Sequence, residues 1–179
     1  MPGAETLEHE IQIDETHALS FADISRILNG RIKGCSILYV DLETMKGPLT
    51  KANMLGQHDC ACVLLTSHEG GVLQRHWTVL LKVGTRICFF DSLALRFSQL
   101  DSLLGDRKFT TFLKSINAEP SRVKLQAHIA KIRTCGCWAA VRCAKFRLTN
   151  SQFVKWITSE RNSSPDRTVV KLCYIGLLS

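Results

Sequence analysis

Two cysteines flank a single glycine in the segment 133–138, which has the sequence RTCGCW. Thiols at this spacing can bind a metal, form a disulfide, or place one sulfur for nucleophilic chemistry. The alternating segment 123–132 before them predicts a strand, and the segment 137–146 predicts a helix. Cys135 and Gly136 would then lie at a helix N-terminus, where the dipole and free N–H groups favour a thiolate and can stabilise an oxyanion.

An earlier hairpin offers a base for such a thiol. The segments 76–82 (HWTVLLK) and 85–91 (TRICFFD) are strand-like, and the VG dipeptide between them predicts a tight turn. A turn centred there places His76 directly opposite Asp91. Opposed residues share a face, with Cβ atoms about 4.5–5.5 Å apart, so an imidazole would lie beside a carboxylate. Together with Cys135 they would supply a nucleophile, a base and a group that orients the base.

The length and composition favour one domain with its own core, since 45% of the 179 residues are hydrophobic. The first 16 residues lack the basic and apolar regions of a secretory signal, and no run approaches the roughly 20 apolar residues that span a bilayer. The eight cysteines are therefore expected to be reduced, as in cytosol or nucleus. This expectation counts against a disulfide in RTCGCW.

The net charge of +7 is unevenly distributed. Six acidic residues and no Lys or Arg occur up to Ser25, whereas 23 basic and ten acidic residues follow. We expect an acidic N-terminal arm over residues 1–18 and one compact domain over 19–179. A basic body attracts polyanions such as nucleic acid through a salt-sensitive interaction, although an ordinary soluble basic surface would have the same composition.

The other segments complete an α+β pattern. Ser20 is a good N-cap for a helix that would stop at Gly30. Strands are predicted at 35–40, 60–66 and 168–175, and helices at 97–116, with a break near Gly105, and at 151–157.

The order of these motifs resembles that of the adenovirus-type maturation cysteine proteases, the adenain family, and more distantly the proteases that process ubiquitin-like proteins. The likeness runs from about Phe21 to Phe146 and thins between Asp101 and Leu125. It is carried by ACVLLTSHEGGVLQRHWTVLL, ICFFDSLALRF and TCGCWAAVRC. The resemblance implies a single-domain α+β protease fold, papain-like with rearranged order, in which helices flank a central mixed or antiparallel sheet.

By this resemblance, His76 is the general base, Asp91 the triad carboxylate and Cys135, which precedes glycine, the nucleophile. Trp77 matches the tryptophan that packs beside the catalytic histidine, and Gly136 the small residue that lets backbone approach. Adenain itself has Glu as its acid, whereas the ubiquitin-like-protein proteases have Asp.

An oxyanion-hole glutamine precedes the nucleophile by six or seven residues in the family. This chain has Ile129 and His128 at those positions, and its nearest glutamine, Gln126, lies two or three positions earlier. The side-chain donor would be Gln126 after a loop shift, or His128. The backbone N–H of Cys135 would be the other donor.

The resemblance implies a cysteine endopeptidase that cuts viral capsid and core precursor polypeptides beside small residues. It would need no cofactor, bind no membrane, and act as a monomer in the nucleus or cytoplasm of an infected cell or in the virion. Adenain is activated by DNA and by a viral peptide that is disulfide-linked to a cysteine upstream of the nucleophile. Because no cysteine lies between Cys88 and Cys135, a tethered peptide at that place is not supported, while the basic body leaves DNA open.

Three other interpretations remain open at this point. Structural zinc could be held by His58, Cys60, Cys62, Cys135 and Cys137, although both C-x-C spacings are tighter than the usual C-x₂₋₄-C. The chain could also be an inactive, basic nucleic-acid-binding module on the same fold, or a ubiquitin-like-protein protease. Buried small apolar residues are expected at Cys60, Cys62, Cys88, Cys143 and Cys173.

Overall fold

The structure is a computed structural model that describes residues 16–28, 35–68, 74–127, 133–159 and 163–178. Over these residues the chain forms the predicted α+β architecture, with one five-stranded mixed sheet and seven helices. The strands are β1 (Ile37–Asp41), β2 (Cys60–Ser67), β3 (Gln74–Val83), β4 (Arg86–Phe90) and β5 (Glu119–Pro120). The helices are α1 (Phe21–Leu28), α2 (Lys51–Met54), α3 (Phe97–Leu104), α4 (Lys108–Ser115), α5 (Cys135–Ala144), α6 (Asn150–Ile157) and α7 (Pro165–Leu178).

The sheet has its strands in chain order, β1 to β5. The pairs β2–β3 and β3–β4 are antiparallel, whereas β1–β2 and β4–β5 are parallel. Helices α1, α5, α6 and α7 contribute to the core on one face, and α2, α3 and α4 to the core on the other. None of the described helices is long and apolar enough to cross a membrane.

Strand β2 lies between β1 and β3 in the sheet, and all eight of its residues are buried. Side chains alternate along a strand, so Cys60 and Cys62 face the α5 side, while Ala61 and Val63 face the α3 side. The predicted strand at 60–66 is confirmed, and the two cysteines share one of its buried faces. None of the eight cysteines, all of which lie among the described residues, forms a disulfide.

Two predicted helix boundaries are confirmed by their capping contacts. At the start of α1, the Ser20 hydroxyl accepts the N–H of Asp23, and the Asp23 carboxylate accepts the N–H of Ser20. Gly105 ends α3 in the left-handed conformation, with φ +74°, and donates its N–H to Asp101 O. The predicted stop at Gly30 lies outside the described residues.

The predicted strand at 168–175 is wrong, because this segment belongs to helix α7. The β-branched run Thr168–Val170 suggested a strand, but Val169, Val170 and Cys173 are all buried, which fits a helix packed on the core. The helix begins with Pro165 in its first turn, after Ser164, whose hydroxyl accepts the N–H of Arg167. The predicted strand at 123–132 is also wrong over 123–127, and its remainder lies outside the described residues.

The buried guanidinium of Arg142 holds the far end of α5 in place. It donates to Lys145 O at 2.9 Å and to Leu148 O at 2.7 Å, and it lies over the ring of Phe153. These carbonyls belong to the loop between α5 and α6. The helix that begins at Cys135 is therefore anchored at its C-terminal end by a side chain of its own.

Candidate active site

His76 and Asp91 meet, although the predicted hairpin register is wrong. The structure pairs Val83 with Arg86, which moves the turn to the two residues between them. Each β3 residue is therefore paired two positions further along the chain than predicted. Strand side chains alternate with a period of two, so a shift of two residues keeps every side chain on its face. Nε2 of His76 lies 2.7 Å from Oδ1 of Asp91.

Asp91 is fixed by the chain that follows β4. Its Oδ1 accepts the N–H of Leu93 at 2.9 Å, and its Oδ2 accepts the N–H of Leu95 at 3.0 Å. Burial by itself raises the pKa of Asp91, but the hydrogen bond and charge of His76, with these two N–H groups, lower it below its ordinary value. The side chain is therefore a carboxylate whose orientation is set by backbone.

Cys135 is the first residue of α5 and lies against His76. Burial raises the pKa of its thiol, but the hydrogen bond and charge of His76 lower it below the ordinary value. The backbone N–H groups of Trp77 and Gly136 lower the pKa further, because both bond the sulfur. These contacts favour a thiolate.

The contacts of His76 favour the protonated imidazole. Burial lowers the pKa of the imidazole, but hydrogen bonds to Asp91 and to Cys135 outweigh burial and raise the pKa to about 10. Because Nε2 faces Asp91, Nδ1 is the ring nitrogen left for Cys135. The three side chains thus lie in one row, in which these contacts favour a thiolate at Cys135, an imidazolium at His76 and a carboxylate at Asp91.

Trp77 contributes to the site through its backbone N–H, which hydrogen-bonds the Cys135 sulfur, and through the packing of its indole. The indole packs edge-on against Phe21, with ring centroids 4.5 Å apart, and its Nε1–H donates to Leu19 O at 2.9 Å. Leu19 also packs on Gly136, next to Cys135. The segment before α1 therefore closes over one side of Cys135, a contact that no local sequence pattern indicated.

Gly136 is expected to be intolerant of any side chain. A Cβ built on it would lie 2.7 Å from Leu19 Cβ, closer than real Cβ atoms approach one another, so Gly136→Ala must displace either Leu19 or the first turn of α5. We expect the rate of Cys135 alkylation by iodoacetamide to fall about 10-fold, because moving this turn withdraws the Gly136 N–H from the sulfur and raises the thiol pKa.

Leu19 variants provide the control for this prediction. The closest atom is Leu19 Cβ itself, so Leu19→Gly should restore alkylation in the Gly136→Ala background, whereas Leu19→Ala should not. Equal alkylation of Gly136→Ala and the wild-type protein would contradict the packing described for this turn.

Gln126 is held close to Asp91 through Ser92. Its Oε1 accepts the hydroxyl of Ser92 at 2.7 Å, and its backbone N–H donates to Ser92 O at 2.9 Å. Because the oxygen end of the carboxamide is bound, the nitrogen end is the one free to act as a donor. Ser92, which directly follows Asp91, was not identified from the sequence, and His128 lies outside the described residues.

The cysteines of the zinc interpretation are not gathered into one place. Cys60 lies 3.4 Å from Cys35, and Cys62 lies 3.5 Å from Cys143, sulfur to sulfur, with Cys143 near the opposite end of α5 from Cys135. Within the described part of the chain, no group of three or more His, Cys, Asp or Glu side chains is arranged to hold a metal ion. These contacts fit the expectation that such cysteines act as buried apolar residues.

No family model matches the chain, and no match was found among the curated proteins. The assignment of roles to His76, Asp91 and Cys135 therefore rests on their chemistry and their arrangement. Elements that are far apart in the chain bring the three together: strand β3, the end of β4 and the start of α5.

Proposed function

We propose that this protein is a cysteine endopeptidase of the adenain type, with Cys135 as nucleophile, His76 as general base and acid, and Asp91 as the orienting carboxylate. One observation carries the proposal: the row Asp91–His76–Cys135, in which the thiol pKa is lowered and the imidazole pKa is raised. Buried groups perturbed in opposite directions by one another are typical of a catalytic pair.

In this mechanism the Cys135 thiolate attacks a peptide carbonyl carbon, and the carbonyl oxygen becomes an oxyanion. The backbone N–H of Cys135 and the Gln126 amide are the proposed donors to that oxyanion. His76 then gives its proton to the leaving amine as the C–N bond breaks, which leaves a thioester. A water molecule, deprotonated by His76, attacks the thioester and releases the acid and the free thiolate.

The proposed substrates are viral capsid and core precursor polypeptides, cut beside small residues in an infected cell or in the virion. The packing of Leu19 on Gly136 supports a preference for small residues, because it narrows the space next to the sulfur. In this role the protein is a monomer and needs no cofactor. DNA would assist it, because the 23 Lys and Arg residues attract the phosphate backbone.

A ubiquitin-like-protein protease is the second candidate. It is favoured by the acid of the triad, since Asp91 matches the aspartate of that group rather than the glutamate of adenain. Rapid reaction of Cys135 with an electrophile placed at the C-terminus of a ubiquitin-like protein would favour this candidate.

A peptide-library cleavage profile, recorded with and without double-stranded DNA, tests the proposal. We expect cleavage next to small residues such as glycine, and a stimulation by DNA that weakens as salt rises, because phosphate contacts are salt-dependent. If no peptide is cleaved under either condition and Cys135 reacts with no electrophile, the inactive nucleic-acid-binding module becomes the better interpretation.

A further inference from the structure

A buried carboxylate outside the triad, Asp166, binds three donors that flank the nucleophile. It lies in the first turn of α7, and only 3% of the residue's surface is exposed. Its Oδ2 accepts the backbone N–H of Ala127 at 2.7 Å, and its Oδ1 accepts the indole N–H of Trp138 at 2.9 Å and the hydroxyl of Thr134. One side chain therefore joins the chain before and after Cys135.

The bond from Thr134 leaves the start of α5 without its usual cap. Thr134 occupies the N-cap position, where a threonine oxygen ordinarily accepts an N–H of the first turn. Here its side chain makes no capping bond, and the hydroxyl donates to Asp166 instead. The N–H groups at the start of α5 are thus not occupied by Thr134 and can face the sulfur or a substrate oxygen.

The bond from Ala127 fixes the other half of the site. Gln126, its neighbour, is bound to Ser92 through both side chain and backbone. Ser92 sets where the Gln126 carboxamide points, and Asp166 sets where the chain runs immediately after it. The two proposed oxyanion donors, the Gln126 amide and the Cys135 N–H, are consequently tied to a common carboxylate.

We propose that Asp166 is a positioning residue that sets the geometry of the oxyanion hole, by holding the Gln126–Ala127 backbone in fixed relation to the Thr134–Cys135 backbone. The inference rests on the proposed peptidase function. Oxyanion donors act at about 2.7–3.1 Å from the developing charge, and a displacement of about 1 Å can cost about 10²-fold in rate. Asp166 touches neither the sulfur nor the substrate, so its effect is exerted through the segments it binds.

Asp166→Asn is the direct test, because it keeps the shape but replaces one acceptor oxygen by an NH₂ group. That group would face either the N–H of Ala127 or the N–H of Trp138, and neither can accept a hydrogen bond. With a quenched fluorescent peptide chosen from the library, we expect kcat to fall about 10²-fold and KM to change less than about 3-fold. A peptide aldehyde, whose adduct places an oxygen in the hole, should bind weaker by a similar factor.

Alkylation of Cys135 by iodoacetamide separates this role from a merely structural one. The reaction occurs at a saturated carbon and forms no oxyanion, so its rate and pH profile should change less than about 2-fold in Asp166→Asn. Loss of folding would remove the low pKa of the Cys135 thiol, so the pH profile of alkylation and the cleavage rate would change together. Asp101→Asn is the matched control, because Asp101 also accepts a threonine hydroxyl, that of Thr110, but between α3 and α4.

The possible outcomes test the role of Asp166 and the peptidase function separately. A folded Asp166→Asn protein with wild-type kcat would overturn the inference while leaving the peptidase intact. A wild-type protein that cleaves no peptide and is not alkylated at Cys135 would overturn the proposed function itself. If Asp166→Asn does not fold, Thr134→Val, which removes one donor of the three, carries the same test with a smaller expected loss of kcat.

Discussion

Replacing Cys135 by alanine is expected to remove peptide cleavage, with a fall in kcat on the order of 10⁶-fold, as when the nucleophile of a triad protease is deleted. The loss is expected because the Cys135 sulfur is the one that is hydrogen-bonded to His76 and to the N–H groups of Trp77 and Gly136. The measurement is cleavage of the library-selected peptide, together with mass mapping of an electrophilic probe on the wild-type protein.

Cys137→Ala is the matched control for this experiment. Cys137 lies two residues further along the same helix and is buried to a similar degree, and its carbonyl accepts the thiol of Cys173. We expect this variant to keep kcat within about 2-fold, since it removes one buried sulfur away from the imidazole. Labelling that persists in Cys135→Ala but disappears in Cys137→Ala would reverse the assignment of the two thiols.

Asp91→Asn is expected to lower kcat/KM by about 10²–10⁴-fold, the range that follows when a triad histidine loses its orienting carboxylate. Asp91 accepts from His76, Leu93 and Leu95, all of them N–H donors, so an amide nitrogen at this site would face a donor. The imidazole would lose the partner that fixes its orientation, and the ion pair with Cys135 would weaken.

The pH dependence of activity is also expected to change in Asp91→Asn. In the wild-type protein the thiol pKa is lowered and the His76 pKa is raised to about 10, so the thiolate–imidazolium pair persists between these two values. Removing the negative charge of Asp91 lowers the His76 pKa, so activity should be lost at a lower pH on the alkaline side. It also weakens the cation beside Cys135, so activity should appear at a higher pH on the acid side.

Asp59→Asn is the control for the profile. Asp59 accepts the N–H of Ser36 at 2.9 Å beside β1, and it makes no contact with the triad. We expect both limbs of its profile to match those of the wild-type protein. An Asp91→Asn profile that keeps the wild-type alkaline limb would show that this carboxylate does not hold the proton on His76.

The hairpin shows how a sequence can predict a pair of residues while giving the wrong register. The turn lies at Gly84 and Thr85 rather than at Val83 and Gly84, and of these only Gly84 has a positive φ, +61°. Glycine at the first turn position is a common hairpin pattern, which the sequence also permitted. The side chains of His76 and Asp91 are still in contact, because the register error was an even number of residues and left both on one face.

Helix α7 shows where local pattern fails. The run Thr168–Val170 has strand propensity, yet it is helical because Val169 and Val170 pack into the core shared with α5. Ser164 followed by Pro165 was a usable helix-start signal. The contacts of Asp166 and Leu19 had no such signal, since each joins segments brought together only by tertiary packing.

The hydrogen bonds around Cys135 join parts of the chain that are far apart in sequence. Trp77 to Leu19 spans 58 residues, Ala127 to Asp166 spans 39, and Thr134 to Asp166 spans 32. Contacts of such separation carry a large loop-closure entropy and form late in folding. The contacts that lower the pKa of Cys135 therefore exist only in the folded protein, so a partly folded chain would lack the assembled row of Asp91, His76 and Cys135 and would not cleave peptides.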